Sequence, residues 1–289
     1  MRLLRFAEKD PKWKSSRMGK ALIDAIRYQD ADLAVWLLQR GADPNTKERE
    51  RRTALWWAAT YSQPAVIREL VERGAKLPDD VLMGPVTKGD RETVRFLIRH
   101  GGNVNCVASE YNSIGRLQVK EALLWAALRT ALPNSESIPI MLIQAGAKVN
   151  QLVHQSRYFH KPGRSMLGMA AHFGLLRTVR VMLLAGADVN LRDKHGRTAL
   201  FDALEQGQVA VVKELLRAGA DTKVKDATRM TPLDALRSKE ESPNMEFEEW
   251  LIDTGAADGS KKLEAERARW NRLRKRLIAL LEQHERVDK

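Results

Sequence analysis

Apolar side chains recur at helical spacing along most of the chain. Val211, Val212, Leu215 and Leu216 lie at positions i, i+1, i+4 and i+5, with polar residues between and after them. Residues three and four apart share one face of an α-helix, so this pattern predicts a helix with a single buried side. Comparable short patterns continue along the chain, and no run of 18 apolar residues is present. The sequence therefore predicts short amphipathic helices and no membrane-spanning helix.

The phrase L-x-x-G-A, with close variants, recurs seven times at the ends of these patterns. Two of the six spacings between its glycines equal 33 residues, and the others range from 27 to 45. A glycine directly after a helix can adopt a positive φ and end that helix. The spacing therefore predicts a repeated helix pair. The glycines are Gly41, Gly74, Gly101, Gly146, Gly186, Gly219 and Gly255.

Three threonines mark the start of the first helix in three units. Thr53, Thr198 and Thr231 each lie 12 residues after the preceding glycine, where a hydroxyl can cap the first helical amides. The fullest unit reads 193-DKHGRTALFDALEQGQVAVVKELLRAGADTK-223. This pattern resembles the ankyrin repeat over about residues 20–258, in seven units. The resemblance implies an all-α solenoid of stacked helix pairs with short β-hairpin-type fingers, in which each unit is stabilised by its neighbours.

The two ends differ from the repeats. Residues 1–19 are expected to form an N-terminal arm or a cap on the first unit. Residues 260–289 are basic and carry an apolar stripe at helical spacing, which predicts an amphipathic C-terminal helix that caps the last unit. A coiled-coil seam or a contact with an anionic surface is the alternative for this helix. The stripe consists of Trp270, Leu273, Leu277, Leu280 and Leu281.

Insertions interrupt the repeat at two neighbouring fingers. Compared with the 33-residue repeat, the segment 106–120 is about eight residues longer and the segment 151–164 is seven residues longer. Unit three lacks most of its finger, and unit four gains four residues within 131–139. Long surface loops cost little entropy, so tolerated drift is one explanation. Aromatic and basic side chains favour the other explanation, contact with a partner. The predicted contact residues are Tyr111, Arg157, Tyr158, Phe159 and Lys161.

The resemblance also implies which positions of each first helix face the concave side. Counted from the threonine as zero, these are +4, +7 and +8, whereas Ala58 and Ala59 occupy buried positions and Trp56 packs between repeats. Apolar and aromatic residues at the concave positions predict a partner-binding surface. The alternative is that the long loops fold back and cover these rings. The predicted binding residues are Trp57, Tyr61, Trp125, Arg129, Met169, His172 and Phe173.

The distribution of charge along the chain indicates which kind of partner it would attract. The net charge is +12, with +7 in residues 101–200, −6 in 201–259 and +5 in 260–289. A basic middle favours a protein partner with an acidic surface, because opposite charges accelerate association. The alternative function is binding of nucleic acid or an anionic surface by the basic middle and the C-terminal helix.

The sequence shows no arrangement of residues for catalysis. No nucleotide-binding, metalloprotease or serine-hydrolase motif is present, and we expect no cofactor and no metal. The single cysteine, Cys106, is expected to be a buried apolar residue, and it favours a reducing, cytoplasmic location. We therefore predict a monomeric, non-catalytic protein-recognition module. It would inhibit or neutralise its partner, as an immunity protein or antitoxin does, or act as a scaffold.

Overall fold

Fourteen α-helices and one β-hairpin make up the part of the chain that the structure describes. The computed structural model describes residues 11–48, 52–111, 117–131, 135–152, 163–238 and 259–287. Contacts divide the chain into two compact units, Met1–Thr130 with Ser137–Ala147, and Ala131–Glu136 with Lys148–Lys289. None of the described helices is both long enough and apolar enough to cross a membrane.

The first unit contains four helix pairs. In chain order its elements are α1 (Pro11–Arg27), α2 (Ala31–Gln39), α3 (Ala54–Tyr61), α4 (Pro64–Glu72), α5 (Met83–Lys88), α6 (Arg91–Arg99), β1 (Val107–Tyr111), β2 (Leu117–Ala122), α7 (Leu123–Thr130) and α8 (Ser137–Gln144). The first helices of successive pairs, α1, α3, α5 and α7, contact one another in that order. The second helices α2 and α4, and likewise α6 and α8, pack beside each other. Each pair is thus buried by its neighbours, as the repeat pattern predicts.

The second unit has the same kind of arrangement within itself. Its elements are α9 (Met166–His172), α10 (Leu176–Leu184), α11 (Ala199–Glu205), α12 (Val209–Arg217), α13 (Pro232–Ser238) and α14 (Gly259–Val287). Helix α11 contacts both α9 and α13, and α10 packs on α12. The predicted apolar face of α12 is confirmed, because Val211, Val212, Leu215 and Leu216 are all buried.

The helix ends follow the predicted chemistry at most positions. Thr53 Oγ1 accepts a hydrogen bond from Trp56 N at 3.1 Å, and Thr231 Oγ1 accepts one from Asp234 N at 3.2 Å. The prediction of a hydroxyl cap at Thr198 is wrong, because its side chain makes no capping bond and its Oγ1 is buried without a partner among the described residues. The glycines after the second helices have positive φ, for example Gly186 at 82°.

A ladder of asparagines joins consecutive repeats. Asn190 Nδ2 donates to the carbonyl of Gly219 at 3.2 Å, and Asn190 Oδ1 accepts from Asp221 N at 2.8 Å. Asn150 makes the same two bonds to Gly186 and Asp188, and Asn45 makes them to Gly74 and Lys76. One side chain thus satisfies a carbonyl and an amide of the next helix end, which fixes the register between repeats.

The segment 106–120, predicted as an overlong finger, contains a β-hairpin. Strands β1 and β2 pair antiparallel from Val107 opposite Ala122 to Tyr111 opposite Leu117. Cys106 directly precedes β1 and is buried as predicted. Burial, followed by the charges of Asp79 and Asp80, raises the pKa of its thiol to about 12. The thiol is therefore protonated and unreactive at neutral pH.

Helix α14 caps the end of the second unit. Trp270, Leu277 and Leu281 are buried, and the helix contacts α12 and α13. Arg274 donates from Nε to the Leu236 carbonyl at 3.0 Å and from a terminal nitrogen to the Arg237 carbonyl at 2.6 Å. A cation that satisfies the last carbonyls of α13 stabilises the end of that helix. The predicted capping helix is therefore present.

Candidate functional site

Two aromatic side chains of helix α3 and three neighbouring cations form a cluster, which we call the α3 patch: Arg27, Arg52, Trp57, Tyr61 and Lys88. The rings of Trp57 and Tyr61 are stacked, with centroids 5.8 Å apart and planes 11° from parallel. They lie one turn apart on α3, which brings their side chains to the same face. Ala58 and Ala59 fill the buried face instead, so the predicted register of this helix is confirmed.

Three cations lie over the rings of the α3 patch. The guanidinium carbon of Arg27 is 5.1 Å from the Trp57 ring centroid, and that of Arg52 is 5.4 Å from the same centroid. Lys88 Nζ lies 5.9 Å from the Tyr61 centroid. Cation–π contacts within about 6 Å are attractive and limit the freedom of the charged groups. The patch therefore presents positive charge on an aromatic support.

Trp56 joins the α3 patch to the next repeat. Its indole Nε1 donates to Asp80 Oδ2 at 3.1 Å, and its ring meets that of Trp57 edge-on with centroids 5.0 Å apart. Asp80 belongs to the following repeat, so Trp56 packs between repeats as expected. The Nε1 of Trp57, in contrast, is buried without a hydrogen-bond partner among the described residues.

One cation of the α3 patch, Arg27, takes part in an exposed ion pair. Arg27 contacts Glu48 at 3.2 Å, with both side chains more than a third exposed. Exposed pairs of this kind contribute little to stability, so separating Arg27 from Glu48 costs little. Lys88 is exposed, and no described carboxylate lies within ion-pair distance of it. The patch can therefore accept carboxylate groups from a second molecule.

A second cluster of charged side chains is buried in the second unit. Arg164 Nε lies 3.5 Å from Asp202 Oδ1, and Arg197 donates to Glu205 Oε2 at 2.8 Å. Arg197 also lies 3.8 Å from Asp202 Oδ1, and Arg164 lies 3.8 Å from Glu205 Oε2. The Arg164 and Asp202 side chains are only 6% and 3% exposed. Two arginines and two carboxylates therefore neutralise one another inside the fold.

Burial decides the protonation of Asp202. Desolvation raises its pKa to about 6 against the opposing attraction of Arg164 and Arg197. For Arg197, burial lowers the pKa, but Asp202 and Glu205 more than offset this and raise it. Asp202 packs against α9, where a side chain on Gly168 would approach its Oδ2 to 2.5 Å. This cluster therefore links α9 and α11 to Arg164, which lies just before α9.

The structure does not place all the predicted binding residues at an accessible surface. Trp125 and Met169 are 2% and 1% exposed, so neither of these predicted residues offers an accessible surface to a partner in this structure. Both lie on first helices, Trp125 on α7 and Met169 on α9, and burial of apolar side chains of this size is favourable. Arg129, His172 and Phe173 are half-buried.

His172 and Phe173 are held by contacts within the second unit. An Arg164 terminal nitrogen lies 3.2 Å from His172 Nδ1, and the His172 and Phe173 rings meet edge-on with centroids 5.3 Å apart. Tyr111 lies in β1, but its side chain is outside the described part. The predicted contact residues Arg157, Tyr158, Phe159 and Lys161 also lie outside the described residues.

The cations of the α3 patch were not among the predicted binding residues. Arg52 immediately precedes the threonine that starts the count, and Arg27 lies at the end of α1, outside the positions that the count selects. Lys88 could have been predicted from the sequence, because it occupies the +8 position when counted from Asp80, the aligned start of unit three. Its unit has a shortened finger, and the pattern there is degenerate.

Comparison with known proteins agrees with this architecture. A family model described as ankyrin repeats (3 copies) matches residues 22–108 and 123–226, about two thirds of the chain. A curated relative, the ankyrin repeat domain-containing protein SAT10 of Stachybotrys chartarum, is 27% identical over 186 residues. That match covers 62% of this chain and 8% of the relative, so the chain corresponds to a small part of that protein's length.

Among solved structures, the chain is similar to the ankyrin repeat domain of Bcl-3, described as a unique member of the IkappaB protein family. The TM-score is 0.56 at 24% identity, and the match covers 74% of this chain and 92% of that one. At this identity the likeness shows the fold.

Proposed function

The chain belongs to the ankyrin repeat family, whose members are generally non-catalytic protein-interaction modules, and we propose that it binds a protein partner through the α3 patch. The stacking of Trp57 on Tyr61 beneath three cations is the observation that carries this proposal. Trp, Tyr and Arg are the residues that most often dominate protein interfaces.

The chemistry of the α3 patch favours an acidic partner surface. Arg27, Arg52 and Lys88 are held near aromatic rings, so less side-chain freedom is lost when they bind carboxylates. A guanidinium binds a carboxylate through two parallel hydrogen bonds. The net charge of +12 adds long-range attraction and accelerates association with an acidic protein.

An affinity capture with paired charge-reversal variants tests this proposal. The test variant is Arg52→Glu with Lys88→Glu. The control is Arg68→Glu with Arg91→Glu, two exposed positions on α4 and α6 that produce the same change in net charge. We expect the wild type and the control to capture the same stoichiometric protein, and the test variant to lose it. Equal loss from both variants would show that only net charge matters and would overturn the proposal.

Two consequences of binding are distinguishable once the partner is captured. If the chain inhibits or neutralises its partner, the partner's activity falls in the purified complex and returns with the Arg52→Glu and Lys88→Glu variant. If the chain is a scaffold, that activity is unchanged and the complex recruits a further protein. Measuring the partner's activity alone and in the complex separates the two.

The exposed side of α14 supports a second candidate function, binding to nucleic acid or another anionic surface. Arg272, Lys275 and Arg276 are exposed on this helix, opposite the buried Trp270 and Leu277. Contacts to phosphates release counterions, so binding of this kind falls steeply with salt. Titration of the chain with duplex DNA at two salt concentrations tests it, and replacement of the three cations by glutamine should abolish the salt dependence.

A further inference from the structure

A groove of about 400 Å³ runs between α12 and α14 in the second unit, and we call it the α12–α14 groove. It is lined by two leucines, Leu216 and Leu280, which we call its floor, and by four polar residues that we call its rim: Lys213, Arg217, Gln283 and His284. All six residues belong to the described part of the chain, and the groove is separate from the α3 patch. We propose that this groove binds a short peptide segment in which acidic residues flank an aliphatic or aromatic side chain.

The apolar floor accounts for the central side chain of such a peptide. Leu216 is almost fully buried and Leu280 is partly exposed, so an apolar side chain placed between them would leave water. Burial of one such side chain favours binding, and the cost of ordering the peptide opposes it. The groove is open to solvent rather than enclosed, which suits a chain segment better than a small molecule.

The rim accounts for the acidic residues. Lys213 and Arg217 lie one helical turn apart on α12, so their side chains project from the same face. Lys213 is exposed and makes no ion pair with a described residue. Arg217 is 72% exposed and lies 3.7 Å from Glu214, which also accepts a 2.9 Å bond from Arg180. Because Glu214 is shared in this way, the charge of Arg217 is only partly neutralised.

The α14 side of the groove is held by contacts to the rest of the second unit. His284 Nε2 donates to the carbonyl of Leu216 at 3.3 Å, which links α14 to the last turn of α12. Arg237 pairs with Glu282, and Trp270 and Leu281 anchor the same helix in the core. Gln283 therefore presents an amide, with one donor and one acceptor group, beside the groove on a fixed helix. An amide at this place fits a peptide backbone better than it fits a phosphate.

Fluorescence anisotropy with a defined probe tests the proposal. The probe is a fluorescein-labelled hexapeptide with two leucines between two pairs of glutamates. One comparison peptide has glutamines instead of the glutamates, and another has serines instead of the leucines. We expect the full-length chain to bind the probe at least about tenfold more tightly than either comparison peptide, equivalent to about 1.4 kcal/mol.

Charge reversal locates the site. Lys213→Glu with Arg217→Glu should weaken binding of the probe by about tenfold or more, because two attractive contacts become repulsive. The matched control is Lys223→Glu with Lys225→Glu, two exposed lysines outside the groove, and it should change binding by less than about twofold. Circular dichroism of each variant verifies that it folds.

Three results would overturn the proposal. The first is equal weakening by both charge reversals, which would indicate non-specific attraction. The second is equal affinity for the probe and the serine peptide, because the leucine floor would then contribute nothing. The third is binding to phosphatidylcholine vesicles containing phosphatidylserine, lost on Lys213→Glu, with no binding to the probe. The partner of the α3 patch plays no part in this experiment, so either proposal can fail alone.

Discussion

Trp57 stacks on Tyr61 with the ring planes 11° from parallel, and this pair supports the cations of the α3 patch. Replacement of Trp57 by alanine removes the stack and the ring beneath Arg27 and Arg52. We expect a loss of about 2 kcal/mol in the free energy of unfolding, below the usual cost for a fully buried tryptophan because Trp57 is half-buried. Urea denaturation of the purified variant measures this loss.

Trp57→Phe is the matched control for that experiment. It keeps an aromatic ring and removes the Nε1–H that is buried without a partner among the described residues. We expect it to cost less than about 1 kcal/mol, because an unsatisfied donor no longer has to be buried. Equal losses for the alanine and phenylalanine variants would show that the indole itself, and not an aromatic support, is what matters.

The buried cluster around Asp202 predicts an unusual dependence of stability on pH. The pKa of Asp202 is about 6 in the folded chain and 3.8 when exposed, so the folded state holds this proton more firmly. The contribution of Asp202 to stability is therefore greatest below about pH 4 and falls as the pH rises through 6, by about 3 kcal/mol at 1.36 kcal/mol per unit. Two other titratable groups are close to the cluster: His172, which contacts Arg164, and Asp193.

Comparison with Asp202→Asn isolates this effect from all other titrations. The difference in unfolding free energy between wild type and variant should favour the wild type more at pH 4 than at pH 7. Asp226 and Asp234 have lowered pKa values, Asp234 mainly through its bond from Thr231, and their opposite effect is present in both proteins. A difference that does not change with pH would contradict the raised pKa of Asp202.

The repeat pattern predicted the fold because its signals are local. Periodic leucines and the glycine after each second helix determine the helix pairs within each unit, independently of the neighbouring units. The burial of Ala58 and Ala59 followed from the position of these residues in the repeat. The candidate site depends on contacts between side chains of different repeats. The repeat pattern of a single sequence does not show which of these side chains touch. Trp125 shares its position with Trp57, yet it is buried. Arg27 and Arg52 approach Trp57 from sequence positions that the repeat count leaves out.

The asparagine ladder predicts a specific loss of stability in Asn190→Ala. The variant removes the bonds to the Gly219 carbonyl and to Asp221 N, and these two exposed backbone groups must then bond to water. We expect a loss of about 0.5–1.5 kcal/mol. Asn271→Ala, on the exposed side of α14, is the control and should stay within about 0.5 kcal/mol of the wild type in the same urea titration.

The end of helix α3 stores backbone strain that glycine would relieve. Ser62 has φ of 52°, in a region that costs a non-glycine residue roughly 1–2 kcal/mol. The corresponding residues after α5, α9 and α11 are Gly89, Gly174 and Gly207, all with positive φ. We expect Ser62→Gly to raise the unfolding free energy by about 0.5–1 kcal/mol after the added freedom of the unfolded chain is subtracted.

Ser62→Ala separates strain from hydrogen bonding at the same position. The Ser62 hydroxyl is buried without a partner among the described residues, so both variants remove it, but only glycine removes the side-chain clash. A gain with glycine and none with alanine, measured by thermal unfolding, identifies backbone strain as the cause. Equal gains would assign the effect to the hydroxyl.

The inserted segment 131–139 has a structural role at Glu136. This side chain is 4% exposed, and its carboxylate accepts hydrogen bonds from Thr178 N at 2.5 Å and Arg177 N at 3.4 Å. These amides belong to the first turn of α10, whose own N-cap residue, Leu175, provides no side-chain bond. A carboxylate at this end also interacts favourably with the helix dipole. Glu136 therefore caps α10 from outside the helix.

We expect Glu136→Ala to lower the unfolding free energy by about 1–3 kcal/mol, because two buried amides lose their acceptor. Glu136→Gln keeps one carbonyl acceptor and should cost less than the alanine variant. Hydrogen exchange gives a local measure: the amides of Arg177 and Thr178 should exchange faster in the alanine variant, while amides of α3 keep their protection. Unchanged exchange at Thr178 would show that the insertion does not cap α10, and tolerated drift would then be the better explanation of its length.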